Sequence, residues 1–131
     1  MVRFRLPADD LEYAVVWQLW ELGVASVREL HERLPRVDAL AYTTTAKVVD
    51  RLREKGLVRR QREGQFFVYR PKAPRESVER ARARHAVSRL LGPKPHGAVA
   101  ALVEAIDETD AGLLEELERA ISAHRRSRHG A

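Results

Sequence analysis

Apolar residues recur with a helical period three times along the first part of the chain before the period changes. Between Asp9 and Leu22 the string DDLEYAVVWQLWEL sets Leu11, Val15, Leu19 and Leu22 on one stripe, opens on acids that suit a helix N-terminus and stops before Gly23. Tyr13, Val16, Trp17 and Trp20 widen the apolar surface beyond that stripe. The pattern predicts a helix packed on two sides, with both tryptophans in the core. After Gly23-Val24-Ala25, Ser26 and Glu29 stand three apart ahead of Leu30, which is a capping box. A short second helix is expected from there to about Leu34, ended by Pro35. The loop Arg36 to Leu40 leads into a third periodic segment, Tyr42 to Lys55, closed by Gly56.

At Leu57 the period shortens. Leu57 to Arg62 is strand-like, Glu63-Gly64 is a turn dipeptide, and Gln65 to Arg70 is rich in β-formers, so one β-hairpin is expected, terminated by Pro71 and Pro74. Helical spacing returns from Glu76 to about Leu91. A Gly92-Pro93-Lys94-Pro95 break follows, then Ala98 to about Ile106, and then Asp110 to about His124 with Asp110 as the cap. The segment 125–131 is polar and is expected to fray.

The order helix, helix, turn, helix, hairpin within some 70 residues is the outline of a winged helix-turn-helix: the second helix braces the third, the third is presented to a DNA major groove, and the hairpin reaches the backbone. The expected architecture is mainly α with one β-hairpin. It divides into a winged helix-turn-helix domain over 1–72, a helical dimerisation region over 73–124 and a polar tail over 125–131. Charge sharpens this picture. The chain of 131 residues carries a formal net charge of +5, unevenly spread. Ten basic residues stand against three acidic ones between Lys47 and Arg75, whereas Glu104 to Glu118 holds seven acids and no base. A basic middle suits a polyanion, and an acidic C-terminal third suits another task. On the third helix, Thr45, Val48, Val49 and Leu52 fall inward, while Thr43, Thr44, Lys47 and Arg51 share another face. Hydroxyls near the helix start suit base edges and cations further along suit phosphates. The plainer alternative makes Thr43 and Thr44 helix caps.

Several strings then carry a family likeness: Leu40-Ala41-Tyr42-Thr43-Thr44-Thr45, Val48-Val49-Asp50-Arg51-Leu52, Lys55-Gly56-Leu57-Val58-Arg59-Arg60, Arg62-Glu63-Gly64 and Phe67-Val68-Tyr69-Arg70-Pro71. In this order and spacing, together with Leu11-Glu12, Val15 and Leu19-Trp20, the chain resembles the penicillinase-repressor family over roughly Leu6 to His124. The resemblance implies a homodimeric repressor that binds palindromic operator DNA. It puts Thr43 and Thr44 at the start of the recognition helix, with Arg51 and the wing residues Arg60, Arg62 and Gln65 near the phosphate backbone. It also implies that Leu90, Leu91, Val99, Leu102, Val103, Ile106, Leu113, Leu114, Leu117 and Ile121 bury between two chains. Two departures matter. Staphylococcal-type members are cut at an Asn-Phe bond where this chain reads Ala101-Leu102-Val103-Glu104, and copper-responsive members carry a C-terminal cysteine cluster where this chain has no cysteine at all. No inducer site is legible, and a sensor or protease partner is left unidentified.

Other classes are disfavoured. Without cysteine there are no disulfides, thiolate metal sites or thiol catalysis. His31, His85, His96, His124 and His129 show no paired spacing that a zinc site wants, and neither a phosphate loop nor a nucleophile motif is present. No cofactor, metal or enzymatic activity is expected. The absence of a long apolar run or signal-like N-terminus predicts a soluble cytoplasmic protein without membrane contact. Two other functions compete: a MarR-like regulator responding to a small ligand, and a winged helix used as a protein-interaction module for an acidic partner.

Overall fold

The computed structural model describes residues 3–35 and 39–130. The centre of the expected loop between the second and third helices, at 36–38, lies outside the described residues. The chain separates into two compact units, 1–83 and 84–131.

The first unit opens with α1 (Asp10–Leu22), capped by Asp9, whose carboxylate accepts the Glu12 N–H at 2.8 Å. The Gly23 N–H closes it on the Leu19 carbonyl at 2.8 Å. In α2 (Val27–Arg33) the expected capping box is formed: Glu29 N–H donates to Ser26 Oγ and Ser26 N–H donates to Glu29 Oε1. Next comes α3 (Tyr42–Glu54), followed by β1 (Val58–Glu63) and β2 (Phe66–Pro71). The strands are antiparallel, with Val58 opposite Pro71 and Glu63 opposite Phe66. The turn is therefore Gly64-Gln65, one residue later than the sequence pattern placed it. Gly64 has φ 65°, a left-handed conformation that glycine adopts without a Cβ clash, so it starts the turn instead of ending it. Ala25 adds one more rung by exchanging both backbone hydrogen bonds with Tyr69.

The core lies where these elements meet. Val15, Val16 and Leu19 of α1, Leu30 of α2, Val48, Val49 and Leu52 of α3, and Leu57 and Val58 at the wing's base are buried together. The inward face predicted for α3 is the buried one, Thr45 included. Thr45 Oγ1 lies 2.7 Å from His31 Nδ1, which satisfies the hydroxyl and ties α2 to α3. Gly56, with φ 80°, passes so close to the N-terminal segment that a Cβ there would sit 2.5 Å from the Arg3 carbonyl oxygen. Arg5 N–H donates to the Lys55 carbonyl beside it, so the glycine lets two backbones meet.

The expectation that Trp17 and Trp20 are core residues holds in part: Trp20 packs against the buried cluster, and Trp17 is not among the side chains packed on it. Both are only half-buried and form a cluster with Tyr13, ring centroids 6.3–6.4 Å apart. The first turns of α4 (Arg75–Leu91) cover this cluster with cations: Arg75 stacks on Trp17 at 3.8 Å and Arg82 on Tyr13 at 3.7 Å. Guanidinium groups cover aromatic faces while staying hydrated, so wide rings end at the surface under arginines. Trp20 Nε1 donates to the Ala73 carbonyl at 3.2 Å, and Val78 of α4 is buried in the core.

The second unit contains the end of α4 and a helix pair, α5 (His96–Thr109) and α6 (Ala111–His129), joined through Asp110, which caps α6 by accepting the Gly112 N–H at 2.9 Å. α5 begins two residues before the expected Ala98 and runs three beyond Ile106. The larger correction concerns the polar tail, because residues 125–129 are helical and continue α6. Arg126, Arg128 and His129 occupy its last turn, where cations interact favourably with the carbonyl end of the helix. Among the described residues of this unit none is buried, and no described helix is long and apolar enough to cross a membrane.

Candidate nucleic-acid interface

The exposed side of α3 follows from its buried side. With Thr45, Val48, Val49 and Leu52 turned into the core, helical spacing leaves Thr43, Lys47 and Arg51 exposed and Thr44 half-buried at the margin. The cap reading of the threonines does not hold. The N-cap is Ala41, which has no side-chain cap bond, and the N–H groups of Thr44 and Thr45 donate to the Ala41 carbonyl at 3.0 and 3.3 Å. Thr43 and Thr44 therefore stand inside the first turn.

The wing supplies the remaining sequence-predicted residues. Arg60, Arg62 and Gln65 are all exposed, and the strand register puts Arg60 opposite Tyr69 and Arg62 opposite Phe67. Neither arginine floats loosely. Arg62 Nε donates to the Gly64 carbonyl at 3.2 Å, and the Arg60 guanidinium lies 4.2 Å from the centroid of Phe67, its diagonal neighbour on the same face.

Electrostatics on α3 is less uniform than a count of cations suggests. Glu12 of α1 is only 3% exposed, and its Oε1 accepts Lys55 Nζ at 2.5 Å and the Ala8 N–H at 3.2 Å. Its other oxygen lies 3.6 Å from Arg51 Nε, so the cation expected at a phosphate already has an internal partner. Asp50 takes Arg53 in the same way at 2.9 Å, and that hydrogen bond, reinforced by the carboxylate charge, raises the Arg53 guanidinium pKa above its ordinary value. Lys47, Arg60 and Arg62 make no ion pair with a carboxylate among the described residues, whereas Arg51 and Arg53 do.

Sequence reasoning missed two features. Glu12 is one; it lies one turn before Val15 and Val16, a carboxylate on the buried stripe, and that position was the available signal. The other is a groove of about 610 Å³ between α2, the start of α3 and the wing, walled by Val27, Arg28, Tyr42, Phe66, Phe67 and Tyr69. Two adjacent phenylalanines in a two-stranded hairpin cannot both face one core, so the exposure of at least one could have been read from the pattern.

In the second unit every residue expected at a dimer interface is exposed or half-buried. Leu90, Val99, Leu102, Val103, Leu113 and Ile121 are exposed; Leu91, Ile106, Leu114 and Leu117 are half-buried. Ile106, Leu113 and Leu117 line one shallow apolar hollow between α5 and α6.

Comparison with known proteins bears on this arrangement. The family model described as penicillinase repressor matches residues 9–123. The chain is 34% identical over 115 residues to the transcriptional regulator BlaI of Mycobacterium tuberculosis, covering 86% of this chain and 81% of that protein. The solution structure of the DNA-binding domain of the repressor BlaI is 25% identical, spanning 55% of this chain and 89% of that one with a TM-score of 0.48. The structure of Bordetella bronchiseptica BpsR, a protein whose DNA binding is regulated by 6-hydroxynicotinic acid, is 17% identical over 75% of this chain and 74% of that one, with a TM-score of 0.46.

Proposed function

The chain belongs to the penicillinase repressor family, and from that premise we propose that it represses transcription as a homodimer bound to a palindromic operator, released by a signal still to be identified. The observation that carries the reading is the polar, cation-bearing face of α3 beside an arginine-bearing wing, on a domain whose helices close on a core of their own. Thr43 and Thr44, in the first turn, are suited to base edges. Lys47, Arg51, Arg60, Arg62 and Gln65 are suited to phosphates, which fix register without reading sequence. The apolar residues of α5 and α6 supply the surface that a second chain would cover. Two recognition helices related by a two-fold axis meet half-sites about 10 bp apart, or a multiple of that spacing.

The test is fluorescence anisotropy of the purified protein with the DNA upstream of its own gene and with a scrambled duplex, across a salt series. Preference for one sequence, two chains per site and a steep fall of affinity with salt are expected. Salt-sensitive binding without preference at any site recovered from genomic DNA would reduce the protein to a general DNA binder. Lack of binding at low salt would favour an acidic protein partner for the basic face.

A further inference from the structure

The groove between the wing and the helices has an unusual lining for a surface meant to meet a polyanion. Three aromatic side chains stand in water there: Phe66 at 61% exposure, Tyr42 at 49% and Phe67 at 39%. Exposed aromatic surface of this extent is unfavourable unless something covers it. Its position narrows what that can be. Tyr42 is the first residue of α3, directly before Thr43 and Thr44, and Phe66 and Phe67 open β2 directly after Gln65. The groove thus joins the two segments that carry the polar and basic faces, and whatever fills it lies against DNA or is displaced by it.

Charge on the rim selects between these. Arg28 lines the groove on the helix side; on the wing side the Arg60 guanidinium lies 4.2 Å from the ring centroid of Phe67, a wall residue, and Arg62 stands opposite Phe67 in the ladder. The one acid of the lining, Glu29, has its Oε1 taken by the Ser26 N–H in the capping box. Apolar walls between cations match a polymer that alternates an apolar ring with an anion. A nucleic-acid strand has that alternation, deoxyribose then phosphate.

We propose that this groove seats the sugar–phosphate backbone of one DNA strand, a deoxyribose packing against Phe66, Phe67 and Tyr42 while Arg28 and Arg60 take the phosphates on either side. The proposal rests on the DNA-binding reading above and deepens it. The wing contributes apolar sugar contacts besides charge, and the contact is independent of sequence because every nucleotide presents the same sugar. Affinity lost with the aromatic residues is affinity without counterion release, which separates their role from that of the arginines.

The experiment uses the full chain and a fluorescein-labelled 30-bp duplex of mixed sequence, titrated by anisotropy from low to moderate salt. Phe66→Ala and Phe67→Ala are each expected to weaken binding about fivefold, the effect of removing part of an apolar contact, with the salt slope unchanged. Arg28→Ala should weaken binding and reduce the slope by about one. On a duplex that the wild-type protein binds in one register, hydroxyl-radical footprinting should show a protected deoxyribose whose protection is lost in Phe67→Ala. Unchanged thermal melting guards against a folding artefact. If the wild-type protein binds and both phenylalanine variants bind within twofold of it, the groove does not seat the backbone, and the DNA-binding reading stands without it. If the wild-type protein binds no duplex, the reading falls and this proposal with it.

Discussion

The two units of the chain use the same kind of helical sequence and end in opposite states. In residues 1–83 the apolar stripes of α1 and α3 close on each other, on Leu30 of α2 and on the base of the wing, and the largest core side chains lose all contact with water. In residues 84–131 stripes of comparable apolar character, Val99, Leu102, Val103 and Ile106 on α5 and Leu113, Leu114, Leu117 and Ile121 on α6, leave no described residue buried. In the first unit several elements meet around one centre, with α1, α2, α3, Val78 of α4 and the base of the hairpin all contributing to it. A helix pair has only one contact seam, so the rest of each stripe stays outside. The contrast teaches that helical periodicity tells which face of an element is apolar, and the number of elements around it tells whether the chain can cover that face alone.

That contrast can be broken by substitution. If the proposed dimer forms through α5 and α6, the largest effect is expected from Leu117→Asp, which sets a charge on the apolar surface: a penalty of about 4 kcal/mol on association, roughly a thousandfold in dissociation constant, read as a halved mass in light scattering. A full dimer mass would move the interface away from α6. Leu30→Ala, in the closed core, should cost about 3 kcal/mol in urea denaturation, leave the mass in light scattering unchanged and show no dependence on protein concentration. Concentration-dependent destabilisation would mean that the first unit, too, relies on a second chain.

Smaller effects sharpen the division within the face proposed to meet DNA. Thr44→Ala should narrow the gap between operator and scrambled DNA by about 1–2 kcal/mol, with little loss on the scrambled duplex, if its hydroxyl meets a base edge. Equal losses on both would assign Thr44 to the backbone. Arg51→Ala should lower both affinities alike by less than about 1 kcal/mol, because Glu12 already holds its guanidinium and part of the charge is spent inside the protein. A loss from Arg51 larger than that from Lys47→Ala would show that Glu12 releases it on binding.

Much of this was legible from local pattern. The Ser26–Glu29 capping box, the Asp110 cap, the buried face of α3 and the existence of the hairpin depend on residues a few positions apart, and the structure agrees with the pattern at each. What was misplaced sits where a local rule met a competing one. Gly64 could end or begin the turn, and its left-handed φ decided for the beginning. The segment 125–129 is polar, yet arginine and histidine near a helix C-terminus support its last turn, so α6 runs on to His129. Trp17 has apolar neighbours in sequence, but the space above it is filled by Arg75, 58 positions away along the chain.

By itself the sequence determined the elements, their order and the identity of each apolar face, because caps, turns and periodicity act over one or two turns of chain. It also carried the family likeness, in strings that keep their order and spacing. Only the tertiary structure decided which charges are available and where apolar surface remains. Glu12 reaches Lys55 and Arg51 across more than 35 residues, and Arg28, Tyr42 and Phe67 meet around one groove from three separate elements. Such encounters depend on how the elements pack, and Coulomb attraction and apolar burial act through space whatever the separation along the chain.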